Sequence, residues 1–247
     1  MPSDILHLCA LAALVLVAAI LYSSVGHAGA SAYIAAMALF GVAPGAIKPA
    51  ALAMNIVVAA VGTWRFSVAR LVPHRLLLPL CAGSIPAAFA GGMLVLPIHV
   101  HRLILGVILL LAAVRLWWPA ASRPDRRMLP AWYWLVVVGA VLGLLAGMTG
   151  VGGGIFLSPL LILGGFEEPR RTAGASAVFI LVNSAAGLLG YLGGHQALPT
   201  GMAPLVPVVL LGGLLGSRLG AGRLSTTALR RLLGVVLVIA GVKLVTG

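Results

Sequence analysis

The stretch "SSVGHAGASA", Ser23 to Ala32, interrupts two apolar runs with residues that are nearly all small. A second interruption, "GMTGVGGGIF" from Gly147 to Phe156, does the same in the other half of the chain. How these two segments are read decides the fold. If residues 5–42 ran as one helix, it would measure about 55 Å at 1.5 Å per residue, longer than a bilayer with its headgroups. A chain that turns back at Ser23–His27 makes a hairpin inside the apolar layer instead, and glycine supplies the backbone freedom such a turn needs.

The apolar layer is a membrane. Apolar residues make up 62% of the 247 and charged residues only 8%, with a mean hydropathy of +1.16. A soluble chain of this length cannot hide that much apolar surface. The apolar segments recur at about 5–22, 28–42, 49–66, 76–96, 102–118, 131–148, 153–166, 174–192, 203–221 and 228–246. They lack the alternation of lipid-facing barrel strands, so they predict a helical bundle. "MPSD" at the start carries no positive charge, unlike a signal peptide. Cys9 and Cys81 sit in apolar segments without metal-ligand spacing, and neither metal nor cofactor is expected.

The chain also repeats itself. "RLILGVILL" around Gly106 matches "RRLLGVVLV" around Gly234, 128 residues later. The same offset pairs Arg102 with Arg230, Asn55 with Asn183 and Gly62 with Gly190, while "VGHAG" and "VGGGI" match at 126. The halves are read as a first membrane repeat at 1–120, a cytoplasmic linker at 121–130 ("ASRPDRRMLP") and a second membrane repeat at 131–247. Each repeat is a broken helical hairpin followed by three transmembrane helices. That makes an all-α polytopic membrane protein of about eight spans and two short half-helices.

Charge orients the halves. In the hairpin reading, 13 of the 16 basic residues collect on one side: Arg65, Arg70, Arg75, Arg115, Arg123, Arg126, Arg127, Arg170, Arg171, Arg218, Arg223, Arg230 and Arg231. Only Lys48, Arg102 and Lys243 fall on the other. Without the hairpins the split is eight to eight. Positive residues favour the cytoplasmic side, so the repeats are expected to be inverted, with both termini facing the periplasm. The net charge of +12 is read the same way, as a membrane signature and not a nucleic-acid footprint. The five tryptophans, Trp64, Trp117, Trp118, Trp132 and Trp134, are all expected at the cytoplasmic interface.

Internal duplication in a membrane bundle points to a transporter with a site between the repeats. Glycines at a mid-membrane break leave N–H groups uncovered at the start of the next half-helix, and these attract an anion. The half-helices are expected to begin near His27–Ala30 and Gly153–Ile155, so the substrate-lining residues are Ser23, Ser24, Gly26, His27, Gly29, Thr149, Gly152, Gly153 and Gly154. Asn55, Ala59 and Gly62 share one helix face, and Asn183, Gly187 and Gly190 repeat the spacing with Ser176 one step back. Asn55, Asn183 and Ser176 therefore join the candidate set. Lys48 is placed at the outer mouth, with Pro49 in a first helical turn.

The four acidic residues, Asp4, Asp125, Glu167 and Glu168, lie outside the expected midplane, which leaves no carboxylate relay there and His27 as its one near-neutral titrating group. The expected partners are a small anionic substrate and the lipid bilayer, with a homodimer an admissible assembly. An intramembrane hydrolase built on Ser23, Ser24 and His27, or on Ser176 with His195, is one rival, and a passive anion channel is the other.

"GLLAGMTGVGGGIFLSPLLILGG" followed by "TAGASAVFILVNSAAGLLGYLGG" resembles the TauE/SafE-type sulfite exporters, also called the 4-toluene sulfonate uptake permeases. "YSSVGHAGASAYIAAMALFG" with "AALAMNIVVAAVGTWRF" is the diverged counterpart in the first half. The first half departs from the glycine-rich pattern at His27 and Ala28. The resemblance implies carriage of sulfite, thiosulfate or organosulfonates across a bacterial inner membrane.

Overall fold

The computed structural model describes residues 5–24, 26–94, 97–117, 130–194, 203–219, 238, 241–242 and 245–246. Most of the proposed linker, His195, Trp118 and the arginines beyond Arg218 lie outside the described residues. The described chain forms α1 (Ile5–Ser24), α2 (Ala30–Leu39), α3 (Pro44–Val68), α4 (His74–Met93), α5 (Ile98–Trp117), α6 (Trp132–Thr149), α7 (Gly154–Leu163), α8 (Pro169–Gly193) and α9 (Leu205–Leu219). Among the described residues five helices are long and apolar enough to cross a membrane: α1, α3, α4, α6 and α8. A bundle in lipid satisfies its backbone groups this way, within each helix.

The order of elements recurs. Both α2 and α7 have 10 residues, and both α3 and α8 have 25 and open with a proline. The turns recur too. Left-handed glycines stand at Gly26, Gly29 and Gly41 in the first half and at Gly150, Gly153 and Gly165 in the second, each pair 124 residues apart. Backbone conformation therefore sets a register of 124 at the breaks, and the starts of α3 and α8 set 125. At the breaks this corrects the offset of 126 read from residue identity; Arg230 and Gly234, on which the offset of 128 was read, lie outside the described residues. In a glycine- and alanine-rich chain, identities slide by a turn at little loss, whereas a left-handed turn admits no slip.

Helix pairing is reciprocal between the halves. α4 packs against α6, and its counterpart α9 packs against α1. In the first pair, Leu80, Ser84 and Ala88 of α4 meet Gly139, Gly143 and Gly147 of α6, so the two helices run parallel in close register. Each of these glycines lies so near the opposing carbonyl that a Cβ would have no room. Small residues are what let helix backbones approach in lipid, where packing replaces the hydrophobic drive. In the second pair, Leu16 and Ile20 of α1 meet Gly212 and Gly216 of α9, again parallel.

The centre is the pair α3 and α8. Leu52 lies against Gly187, Asn55 bonds Ser184, and Ala177 lies against Gly62, so the two helices run antiparallel. The face carrying Asn55, Ala59 and Gly62 is the one that meets α8. Gly174 of α8 sits against Leu71, which brings the Arg170–Arg171 end of α8 to the Arg65–Arg70 end of α3. The parallel register of α4 and α6 sets the exposed Trp132 and Trp134 at the level of His74 and Arg75, the same end. Indoles beside arginines mark a membrane–water interface.

Pro49 lies inside α3, five residues after its start at Pro44, and not in the first turn. Having no N–H, Pro49 leaves the Gly45 carbonyl without its helical donor. Tyr191 of α8 supplies one, its hydroxyl donating to Gly45 O at 3.4 Å.

Candidate functional site

Two helices start inside the bundle. α2 begins at Ala30 behind Gly29 (φ 99°), and α7 begins at Gly154 behind Gly153 (φ 81°). Both starts fall in the intervals expected from the sequence. The first N–H groups of a helix have no partner within it, and neither start is capped by a side chain. Val151 to Gly154 are buried, as are Ala28 to Ser31. A buried, uncapped N-terminus concentrates positive potential with no water to dissipate it.

The start of α7 lies at mid-bundle. Gly152 faces Asn55, Ile180 and Ser184; Gly153 faces the Phe179 ring; Gly154 faces Ile180 and Ser176. Asn55 is near the middle of α3, and Ile180 near the middle of α8. The Asn55 amide donates to Gly150 O and Ser184 Oγ, both at 3.4 Å. These are long bonds, and Asn55 Oδ1 has no partner among the described residues. Asn55 is wholly buried, as is Asn183, whose Oδ1 also has no partner among the described residues; an unpaired amide oxygen accepts, so the donor face of Asn55 is its Nδ2, which lies toward Gly152.

A second feature joins the two breaks. His27 Nε2 and Ser158 Oγ are 2.9 Å apart, and Ser158 Oγ and Ser176 Oγ are 2.7 Å apart. His27 belongs to the first break, Ser158 to α7 and Ser176 to α8, so three elements from both halves share one hydrogen-bonded chain. Gly26 lies against Ala173 of α8, with no room for a side chain, and this holds the first break beside α8. Ser158 was absent from the sequence-based set. The signal for it was positional, one helical turn beyond Gly154 on the same face.

Other expected site residues turn elsewhere. Ser23 donates to the Ala19 carbonyl and reaches toward Gly212 of α9; Ser24 donates to Leu21 O at 2.7 Å. Gly29 packs on Tyr33, whose hydroxyl donates to Ala28 O. Thr149 donates to Leu145 O at 2.6 Å and accepts from Val151 N at 3.4 Å, shaping the second break. Asn183 donates to Phe179 O at 2.8 Å, within its own helix. It is the fifteenth residue of α8, whereas Asn55 is the twelfth of α3, so the two asparagines stand about one turn out of register.

Lys48 is buried at 5% exposure. Its ammonium donates to Gly91 O at 3.1 Å, Gly92 O at 2.8 Å and Leu94 O at 3.2 Å, and lies 5.8 Å from the Tyr191 ring centre. An ammonium has three donors, and all three are engaged. Lys48 thus ties α3 to the C-terminal carbonyls of α4, the negative end of that helix dipole. Its backbone also lies against Gly150. Lys48→Ala is expected to lower stability by about 3 kcal/mol, the scale of stranding buried carbonyls. An unfolding transition unmoved from wild type would refute that.

What the arrangement can do is bind a small group rich in acceptors. The donors at mid-bundle are the α7 amides, the Asn55 amide and the hydroxyls of Ser158, Ser176 and Ser184. Among the described residues no group of His, Cys, Asp or Glu could hold a metal. The described carboxylates are Glu167, paired with Arg171 at 3.3 Å, and Glu168, both in the turn leading into α8.

Residues 11–244 match the family described as sulfite exporter TauE/SafE. The chain is 39% identical over 233 residues to a probable membrane transporter protein, y4hK, of Sinorhizobium fredii, covering 92% of this chain and 94% of that protein. No solved structure matches the chain. A glycine-broken helical bundle that carries these similarities over more than nine-tenths of its chain belongs to the TauE/SafE sulfite exporter family of membrane transporters.

Proposed function

We propose that the protein exports small sulfur-containing oxyanions, such as sulfite, thiosulfate or organosulfonates, across a bacterial inner membrane by alternating access of two inverted repeats. The observation that carries this is the buried, uncapped start of α7, flanked by the Asn55 amide nitrogen and the Ser176 and Ser184 side chains. The antiparallel run of α3 and α8 and the reciprocal pairing of α4 with α6 and α1 with α9 support the inverted arrangement. Discontinuous helices whose positive ends face an anion are the design such repeats use.

The membrane potential supplies the drive. With the interior negative, efflux of one negative charge is favoured by about 2.3 kcal/mol per 100 mV. A tenfold gradient opposes it by only about 1.4 kcal/mol. The test is sulfite efflux from proteoliposomes with and without an interior-negative K⁺ diffusion potential. Saturable efflux that speeds up with the potential is the expected result. Flux that never saturates would favour a passive channel, and no flux above empty liposomes would reject sulfite.

A further inference from the structure

We infer that the anion site binds a proton together with its anion, the proton residing on His27 and signalled to the site through Ser158 and Ser176. The inference rests on the anion site proposed above and adds its regulation.

Hydrogen-bond direction is the reason. A cationic imidazole can only donate, so Ser158 must then accept from His27 Nε2. The Ser158 hydrogen turns to Ser176, 2.7 Å away, and Ser176 accepts it. The Ser176 hydrogen is then free to leave the chain. Ser176 lies beside Gly154, the first residue of α7, so that hydrogen is offered where the anion is held. With the neutral imidazole protonated at Nδ1, the chain runs the other way. Ser176 donates to Ser158, Ser158 donates to Nε2, and no hydroxyl hydrogen remains for the anion. From that tautomer, one proton gained at His27 supplies one donor at the start of α7, and the same proton is released when the chain reverses.

The surroundings couple the two events further. Among the described residues flanking His27 in the chain, the titratable side chains are Tyr22, bonded to Ser31, and Tyr33, bonded to Ala28 O. α7 has no ionisable side chain over Gly154–Leu163. α8 brings Arg170 and Arg171, the latter paired with Glu167, and Glu168 precedes it; α3 brings Arg65 to the same end and α9 ends at the exposed Arg218. Among the described residues arginines outnumber carboxylates at that end, which favours an anion there. His27 is itself partly exposed. Linkage makes the effect mutual: if the proton tightens the anion, the anion holds the proton by the same factor.

The test uses the purified full chain and thiosulfate, which keeps its charge over the pH range used. Binding is measured calorimetrically at about pH 5.5 and about pH 8, either side of the ordinary imidazole value of about 6.5. Wild type is expected to bind about tenfold more tightly at the lower pH, one pKa unit's worth of linkage, and to take up protons on binding. His27→Gln and Ser176→Ala are expected to flatten that dependence, while Ser158→Thr keeps it because the hydroxyl remains. Should His27→Gln not fold, Ser158→Ala makes the same comparison without touching the ring. Equal affinity at both values in wild type, or an undiminished pH dependence in the folded variants, would overturn the proton inference and leave the anion site standing. Absence of thiosulfate binding at either pH would overturn the anion site for this probe, and the inference with it.

Discussion

Gly143→Val is expected to abolish the accumulation of folded protein. A Cβ at Gly143 would press into the backbone of Ser84, which belongs to a helix and has no flexible end to yield. α4 and α6 would have to separate along a seam that also includes Gly139 and Gly147. Overpacking against backbone destabilises by about 3 kcal/mol or more, which is a large part of a typical folding free energy. Gly45→Ala is the control. Gly45 has open space around its Cβ position, and its substitution is expected to shift stability by less than about 0.5 kcal/mol. Size-exclusion profiles of detergent extracts after graded heating would decide it. A monodisperse Gly143→Val with wild-type heat resistance would mean that α4 and α6 do not meet as closely as described.

Asn55→Ala is expected to reduce transport by about 10- to 100-fold, the range for a lost hydrogen bond to a charged group. Asn183→Ala is expected to change it by less than about threefold. The two residues look alike in the sequence, and the structure separates them. Asn55 bridges the second break to α8 through Gly150 and Ser184. Asn183 donates one of its two amide hydrogens to Phe179 O, one turn back in its own helix, and no described bond joins it to the second break. Initial efflux rates from proteoliposomes at matched protein content measure both. Equal losses in the two variants would restore a symmetric site and remove the special place of the second break.

Much of this was legible in the sequence, and the reasons differ by feature. The breaks were, because glycine clusters inside apolar runs have few other uses, and the helices begin again at Ala30 and Gly154 as expected. The face of α3 carrying Asn55, Ala59 and Gly62 was also legible, since helical spacing alone places them together. The internal register was not. Residue identity favoured offsets that pair Asn55 with Asn183, and only the left-handed glycines reveal the spacing of 124. Pro49 was misplaced for a related reason. A proline is readable as a helix start, but a hydroxyl from Tyr191 on a distant segment is not foreseeable from local sequence. The same holds for Lys48, whose three carbonyl partners on α4 lie more than forty residues ahead. Ser158 is a plain serine in an apolar helix until folding brings His27 to it.

The pairing of α1 with α9 has a consequence for how the chain is made. α1 ends at Ser24 and α9 begins at Leu205, so the partner of the first helix emerges from the ribosome about 180 residues later. At about 5–20 residues per second, that is a wait of roughly 10–40 s. During that interval the face of α1 that ends against Gly212 and Gly216 has only lipid or the insertion machinery to lie against. α4 waits far less, because α6 begins about forty residues after it ends. Assembly therefore starts across the middle of the chain and closes at its ends, and a ribosome stalled before Leu205 leaves a product with its first helix unmatched.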